Sequence, residues 1–138
     1  MRDDLLLLDS SVWIRYLRPR ESEEFKTVVQ EALADGRVAT CWVVNAELLI
    51  GARDEAAFDT LLEGLLGLPE VPITEGLWEE AARLGHRLRK QGLLVPLPDL
   101  LIAQCAISSG RILSHADEDF ERVRKLSSLR TRYWQTSS

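Results

Sequence analysis

Basic residues are in deficit in this 138-residue chain: 17 Lys and Arg stand against 22 Asp and Glu, a net charge of −5. That deficit excludes a histone-like, generally polycationic nucleic-acid binder, and it directs attention to an acidic or metal-dependent site. Cysteine is nearly missing. Cys41 and Cys105 are the only two, each inside an apolar stretch and without C-x-x-C spacing, which excludes a disulfide framework and suits a reducing, cytoplasmic setting. Long apolar runs are missing as well; nothing approaches the roughly 20 residues a membrane span needs. Met1-Arg2-Asp3-Asp4 and the short leucine run after it lack the long apolar region of a signal peptide. No internal repeat occurs, and the one biased segment is a polar tail at 135–138. What remains is a globular composition, 46% hydrophobic and 28% charged, over a length that suits a single domain at 1–138.

The pattern along the chain is α/β. Residues 5–8 are apolar at every position and predict a strand buried on both faces, typical of parallel sheets. Ser10 or Ser11 is placed to cap a short helix over 12–17, and Phe25, Val28, Val29, Ala32 and Leu33 predict a helix over 21–35. A short strand follows at 38–41, then helices over 42–50 and after Asp54. Residues 70–73 read as a strand or extended connector, and 74–90 as a long helix. Pro96-Leu97-Pro98 reads as a rigid turn before a helix opened by Asp99. A strand at 111–114, a helix over 117–125 and a strand at 129–134 complete the chain. Strands alternating with helices predict a short, mainly parallel sheet covered on both faces.

In such folds ligands bind at the carboxyl ends of strands. Asp9 ends the first strand, Asp99 follows a proline turn at the head of a helix, and Asp117 follows the strand at 111–114. Glu47 is unusual in another way, since nearly every neighbour in Trp42-Val43-Val44-Asn45-Ala46-Glu47-Leu48-Leu49-Ile50 is apolar. An unpaired buried carboxylate needs a cation, a donor network or a raised pKa. Oxygen-rich groups of this kind suit a hard divalent ion. Each acid also has a plainer reading: Asp9, Asp99 and Asp117 as helix caps, and Glu47 as the partner of an arginine.

Four segments carry a resemblance. Leu7-Leu8-Asp9-Ser10-Ser11-Val12-Trp13-Ile14 resembles the opening motif of PIN-domain nucleases, especially VapC-type toxins. Asn45-Ala46-Glu47-Leu48-Leu49-Ile50-Gly51 is similar to the second motif, and Leu97-Pro98-Asp99-Leu100-Leu101-Ile102-Ala103 to the third. Ile112-Leu113-Ser114-His115-Ala116-Asp117-Glu118-Asp119-Phe120 resembles the fourth, where two acids compete for one role. Asp117 is preferred because it stands nearer the strand end and three residues before Phe120, leaving Asp119 as a partner for an arginine or a group behind the metal ligands. Ser10 stands where many relatives carry threonine. The resemblance implies a three-layer α/β/α sandwich that hydrolyses RNA phosphodiesters with Mg²⁺ or Mn²⁺. It implies that Asp9, Asp99 and Asp117 hold metal while Glu47 binds a second ion or orients the attacking water, leaving 5′-phosphate and 3′-hydroxyl ends.

His86 and His115 are not required by this chemistry; His86 reads as an exposed helix residue and His115 as a neighbour of the rim. Arginines cluster at Arg15, Arg18 and Arg20, at Arg83, Arg87 and Arg89 with Lys90, and between Arg122 and Arg132. The Arg15 group is the stronger RNA candidate, and the Arg83 group the stronger candidate for a solvated, salt-bridged face. The resemblance further implies a homodimer and a VapB-like antitoxin. Trp13, Trp42, Leu48, Leu49, Phe58 and Leu62 are candidates for its apolar groove, although core packing explains most of them equally well. A PIN nuclease of RNA maturation or decay, or a non-catalytic α/β interaction module, are the alternatives. A haloacid-dehalogenase-type phosphatase would need a second Asp where Ser11 stands.

Overall fold

The computed structural model describes residues 4–135. Most of the expected polar tail, 136–138, and the first three residues lie outside the described residues. The strands β1 (Leu6–Leu8), β2 (Val38–Ala39), β3 (Ile112–His115) and β4 (Thr131–Tyr133) form a 4-stranded sheet in the order β2-β1-β3-β4. Every pairing in it is parallel. The helices are α1 (Ser10–Tyr16), α2 (Glu23–Ala34), α3 (Trp42–Ile50), α4 (Glu55–Leu66), α5 (Glu75–Lys90), α6 (Leu97–Ser109) and α7 (Glu118–Lys125).

Neighbouring residues of a strand point to opposite faces, yet Leu6, Leu7 and Leu8 are all buried. Both faces of the central strand are therefore covered by helices, as its uninterrupted apolar run predicts. The chain passes from β1 to β2 on one side, and β3 pairs with β1 on the other. The strand order thus reverses between β1 and β3, which opens a crevice beyond their carboxyl ends. Leu8 lies in register with Ser114, and the Asp9 amide donates to the Ser114 carbonyl at 2.9 Å. The segments that follow these two strands consequently emerge side by side.

Two helices start earlier than expected, each for a local reason. Asp9, rather than Ser10 or Ser11, is the N-cap of α1, and its side chain accepts the Ser11 amide. α6 begins at Leu97, because Pro98 in the first turn has no amide to waste and its fixed φ suits a helix start. Asp99 therefore sits inside the first turn of α6 instead of opening it. From Leu100 to Ala106 every side chain of α6 is buried. α5 packs against it through Leu77, Ala81, Leu84 and Leu88, and Gly85 permits a close approach: a Cβ there would meet Leu100 Cδ1 at 2.6 Å. Gly110 then ends α6 in the left-handed region at φ 68°, where glycine pays no steric penalty. Of the stretch 70–73, Glu70 alone forms a bridge, to Thr40 beyond the end of β2. Among the described residues no helix is long and apolar enough to cross a membrane.

Candidate active site

The crevice between β1 and β3 brings together acids from distant parts of the chain. Asp9 follows β1, Glu47 rides on α3, Asp99 lies in the first turn of α6, and Asp117 caps α7 after β3. Asp99 reports the convergence most directly. Its carboxyl is pushed up to about 6, first by burial and then by the negative fields of Asp9, Asp117, Glu47 and Asp119. A carboxylate that meets other carboxylates and no cation resists ionisation.

Each acid is held differently. Asp9 is buried, 4% exposed, and burial raises its pKa against the hydrogen bonds it accepts from Ser11. Ser11 is not the cap but joins two strand ends. Its hydroxyl donates to Asp9 Oδ2 at 2.6 Å and accepts the Ala116 amide at 2.9 Å, so one oxygen ties the end of β1 to the turn that carries Asp117. Substituting Ser11→Ala leaves the Ala116 amide without its acceptor and leaves Asp9 Oδ2 with the Ser11 backbone amide alone. We expect a stability loss of about 1–2 kcal/mol, read as a lower melting temperature.

Glu47 departs from expectation. It is exposed, because the apolar residues of α3 divide between the core (Val44, Leu48, Leu49) and the opposite surface, where Ile50 is 85% exposed. Its Oε1 accepts the Ser10 hydroxyl at 3.2 Å, and among the described residues no arginine pairs with it. Partial desolvation, then the charge of Asp9, raises its pKa. The aim of α3 is set at its start, where the buried Thr40 hydroxyl donates to Asn45 Oδ1 at 2.6 Å. Asp117 is both cap and rim acid: its Oδ1 accepts the Asp119 amide at 3.0 Å. Asp119 is exposed and bonded to Arg122 at 3.0 Å, matching the arginine partnership expected for it.

Among the described residues no Lys, Arg or His pairs with Asp9, Glu47, Asp99 or Asp117. Nor does any group of three or more His, Cys, Asp and Glu among them grip an ion as it stands. The donor set still fits a hard divalent cation, which takes one or two carboxylates and keeps several waters.

Several arginine expectations change. Arg15 is engaged in the fold: it pairs with Glu21 at 2.9 Å, covers the Phe25 ring at 4.5 Å and donates to the Trp134 carbonyl. Only Arg18 and Arg20 of that group are exposed. Arg83 pairs with Glu79 four residues earlier, the salt-bridged face expected there, and His86 is exposed. His115 lies in the core, fully buried. Of the candidate groove residues, Trp13, Leu48 and Leu49 are core and Trp42 and Phe58 are exposed. The groove that exists is lined by Ile14, Leu17, Pro19, Leu48 and Leu61, with Glu47 at its edge.

A short parallel sheet covered by helices, with acids converging at its switch point, defines a small α/β domain. The chain belongs to the PIN-domain family, whose model matches residues 6–126. It is 31% identical to the VapC ribonuclease Mb1587 of Mycobacterium bovis over 130 residues, 91% of this chain and 96% of that protein. Ribonuclease VapC18 of Mycobacterium tuberculosis is 29% identical over 120 residues, covering 84% of this chain and 85% of that protein. Among solved structures, VapBC2 of Rickettsia felis bound to a promoter DNA fragment matches with a TM-score of 0.78 at 18% identity, over 95% of this chain and 99% of that one. The VapBC-5 toxin–antitoxin structure of Mycobacterium tuberculosis matches with a TM-score of 0.64 at 26% identity, over 94% and 97%. The expected α/β sandwich around a parallel sheet is thus borne out.

Proposed function

We propose that this chain, acting as a single PIN domain, is a metal-dependent endoribonuclease and the toxin of a VapBC-type pair. The convergence of Asp9, Glu47, Asp99 and Asp117 on one crevice without a cationic partner carries this reading. Its relatives' names, VapC ribonuclease and ribonuclease VapC18, supply the substrate class. Asp9, Asp99 and Asp117 would hold Mg²⁺ or Mn²⁺, which supplies an activated water and neutralises charge growing on the phosphate. Asp9 is the rigid member, buried and clamped by Ser11. Glu47, open to solvent and held by Ser10, orients the attacking water. Exposed Arg18 and Arg53 flank the neighbouring groove beside Glu47 and offer phosphate contacts.

RNA cleavage by the purified protein, with and without EDTA, tests this reading. Chelation and Asp9→Asn are each expected to reduce cleavage by about a hundredfold or more. Full activity in either case rejects the assignment.

The apolar groove between α1, α3 and α4, about 870 Å³, suits a helix or extended tail of a VapB-like antitoxin, which would cover Glu47 at its edge. A homodimer belongs to the same reading, as does a cytoplasmic location for a chain whose two cysteines are free and buried. Growth arrest on expression, relieved by co-expressing the small protein encoded beside it, supports the toxin role. Unimpaired growth with active protein speaks for RNA processing without a toxin role.

A further inference from the structure

We propose that His115 is a positioning residue: its imidazole, fixed between Glu121 and the Asp117 amide, sets where the Asp117 carboxylate stands in the acidic crevice. The proposal rests on the reading of that crevice as a metal-dependent nuclease site.

His115 is the last residue of β3, and its side chain is fully buried. The Asp117 amide donates to its Nδ1 at 3.2 Å. A backbone N–H can only donate, so Nδ1 must carry no proton. The single ring proton is then on Nε2, which lies 2.8 Å from Glu121 Oε2 and donates to it. Both ring nitrogens are committed, and the tautomer follows from the partners.

The ring is fixed from further directions. It stacks on Tyr133 of β4, with centroids 5.0 Å apart and planes 11° apart, and meets Phe120 edge-on at 5.2 Å. Glu121 is itself held at both oxygens. Its Oε2 accepts the Thr131 hydroxyl at 2.6 Å, and its Oε1 accepts Arg124 Nε at 3.0 Å. Burial raises the Glu121 carboxyl, but the hydrogen bonds from Thr131, His115 and Arg124 outweigh it and leave its pKa below the ordinary range. An ionised carboxylate therefore anchors His115 to α7 and β4.

Successive amides in the turn after β3 are thus clamped from two sides. Ser11 holds Ala116 N–H, and His115 holds Asp117 N–H. Ser11 also holds Asp9, so the pair of clamps sets Asp117 relative to Asp9. Releasing the second amide leaves the turn hinged at Ala116 and lets the Asp117 carboxylate swing. Partners one step behind a metal ligand have this kind of leverage, about 10–100-fold in metal affinity.

Packing alone would also explain a buried, stacked histidine, and two substitutions separate the explanations. In His115→Asn the amide oxygen falls near Nδ1 and can still accept the Asp117 amide, while the Glu121 contact is lost. In His115→Gln the amide nitrogen reaches toward Nε2 and can still donate to Glu121, while the Asp117 acceptor is lost. Both variants should melt at lower temperature than the wild type. By calorimetric titration with MnCl₂, His115→Gln should bind about tenfold more weakly, and His115→Asn should stay within about threefold of wild type. His115→Gln should also lose kcat about tenfold with KM for RNA unchanged. Equal metal affinities in the two variants, or the reverse order, overturn the proposal.

Should either variant fail to fold, the wild-type protein still decides. Long-range ¹H–¹⁵N correlation spectra of the metal-free protein are expected to show His115 protonated at Nε2 alone, and a proton on Nδ1 overturns the proposal. Wild-type protein that shows this tautomer but neither binds Mn²⁺ nor cuts RNA rejects the nuclease reading, and with it the role assigned to His115.

Discussion

Asp99→Asn is expected to abolish RNA cleavage, by about a thousandfold or more, and in the same molecule to raise the melting temperature of the metal-free protein at pH 7. The two effects share one cause. Asp99 lies half-buried among Asp9, Asp117, Glu47 and Asp119, and its carboxyl is pushed up to about 6. A carboxyl raised above its unfolded value makes the folded state bind protons more tightly, so stability falls as pH rises from about 4 to 6. At pH 7 the ionised side chain is a burden on the metal-free fold. Half-exposure screens much of that burden, and about 1 kcal/mol is expected to be recovered by the neutral amide. For a domain of this size that is a rise of about 3–5 °C. Activity moves the other way, since an amide lacks the charge that holds a divalent ion and favours the transition state. A purely structural Asp99, acting as a first-turn acid that favours the helix dipole, would make the amide variant less stable and leave cleavage near wild type.

The second large effect is a competition between metal and protons. At pH 7.5, Mn²⁺ at a hundred times its dissociation constant should raise the melting temperature by about 10 °C, from a stabilisation of about 2.7 kcal/mol. At pH 5 the same Mn²⁺ concentration should give about half that gain. Asp99, titrating at about 6, is by then roughly nine-tenths protonated, and metal must displace that proton. Asp9 and Glu47, also raised above their ordinary values, strengthen the trend. The contribution of these acids to the metal-free protein has the opposite sign, since protonation relieves their repulsion. Melting curves with and without Mn²⁺ at the two pH values measure both. A metal-induced shift that is absent, or larger at pH 5, contradicts the acidic crevice as the binding site.

Much of this molecule was readable from its sequence, and the gaps have physical causes. Residues 6–8 announce a central parallel strand because burial on both faces leaves no polar position. Asp9 and Asp117 are legible as rim acids because strand ends are easily located, even though a carboxylate there also reads as a helix cap. Asp9 and Asp117 show that cap and site are compatible readings, since each acid receives a backbone amide while standing at the rim. The starts of α1 and α6 are ambiguous in sequence, because local chemistry admits two answers: Asp9 or a serine as cap, Pro98 as turn or first-turn residue.

The errors of a different kind concern long-range neighbours. Ser11 and Ala116 are 105 residues apart and meet only because β1 and β3 are adjacent; periodicity carries no trace of that pairing. Arg15 lies close to Asp9 along the chain and so reads as an RNA contact, whereas the fold turns it onto Glu21 and Phe25. Glu47 looked buried because its neighbours are apolar, yet those neighbours serve two faces of α3. His115 stands inside the fourth motif, but its contacts need Tyr133 and Glu121 in place, and neither partner is marked by spacing.

The most direct test of the acidic crevice as a metal site is a crystal structure grown with millimolar Mn²⁺ and recorded above the manganese absorption edge. An anomalous peak within coordination distance of Asp9, Asp99 and Asp117 is the expected result. A crevice without that peak, or manganese bound only elsewhere on the protein, would contradict it.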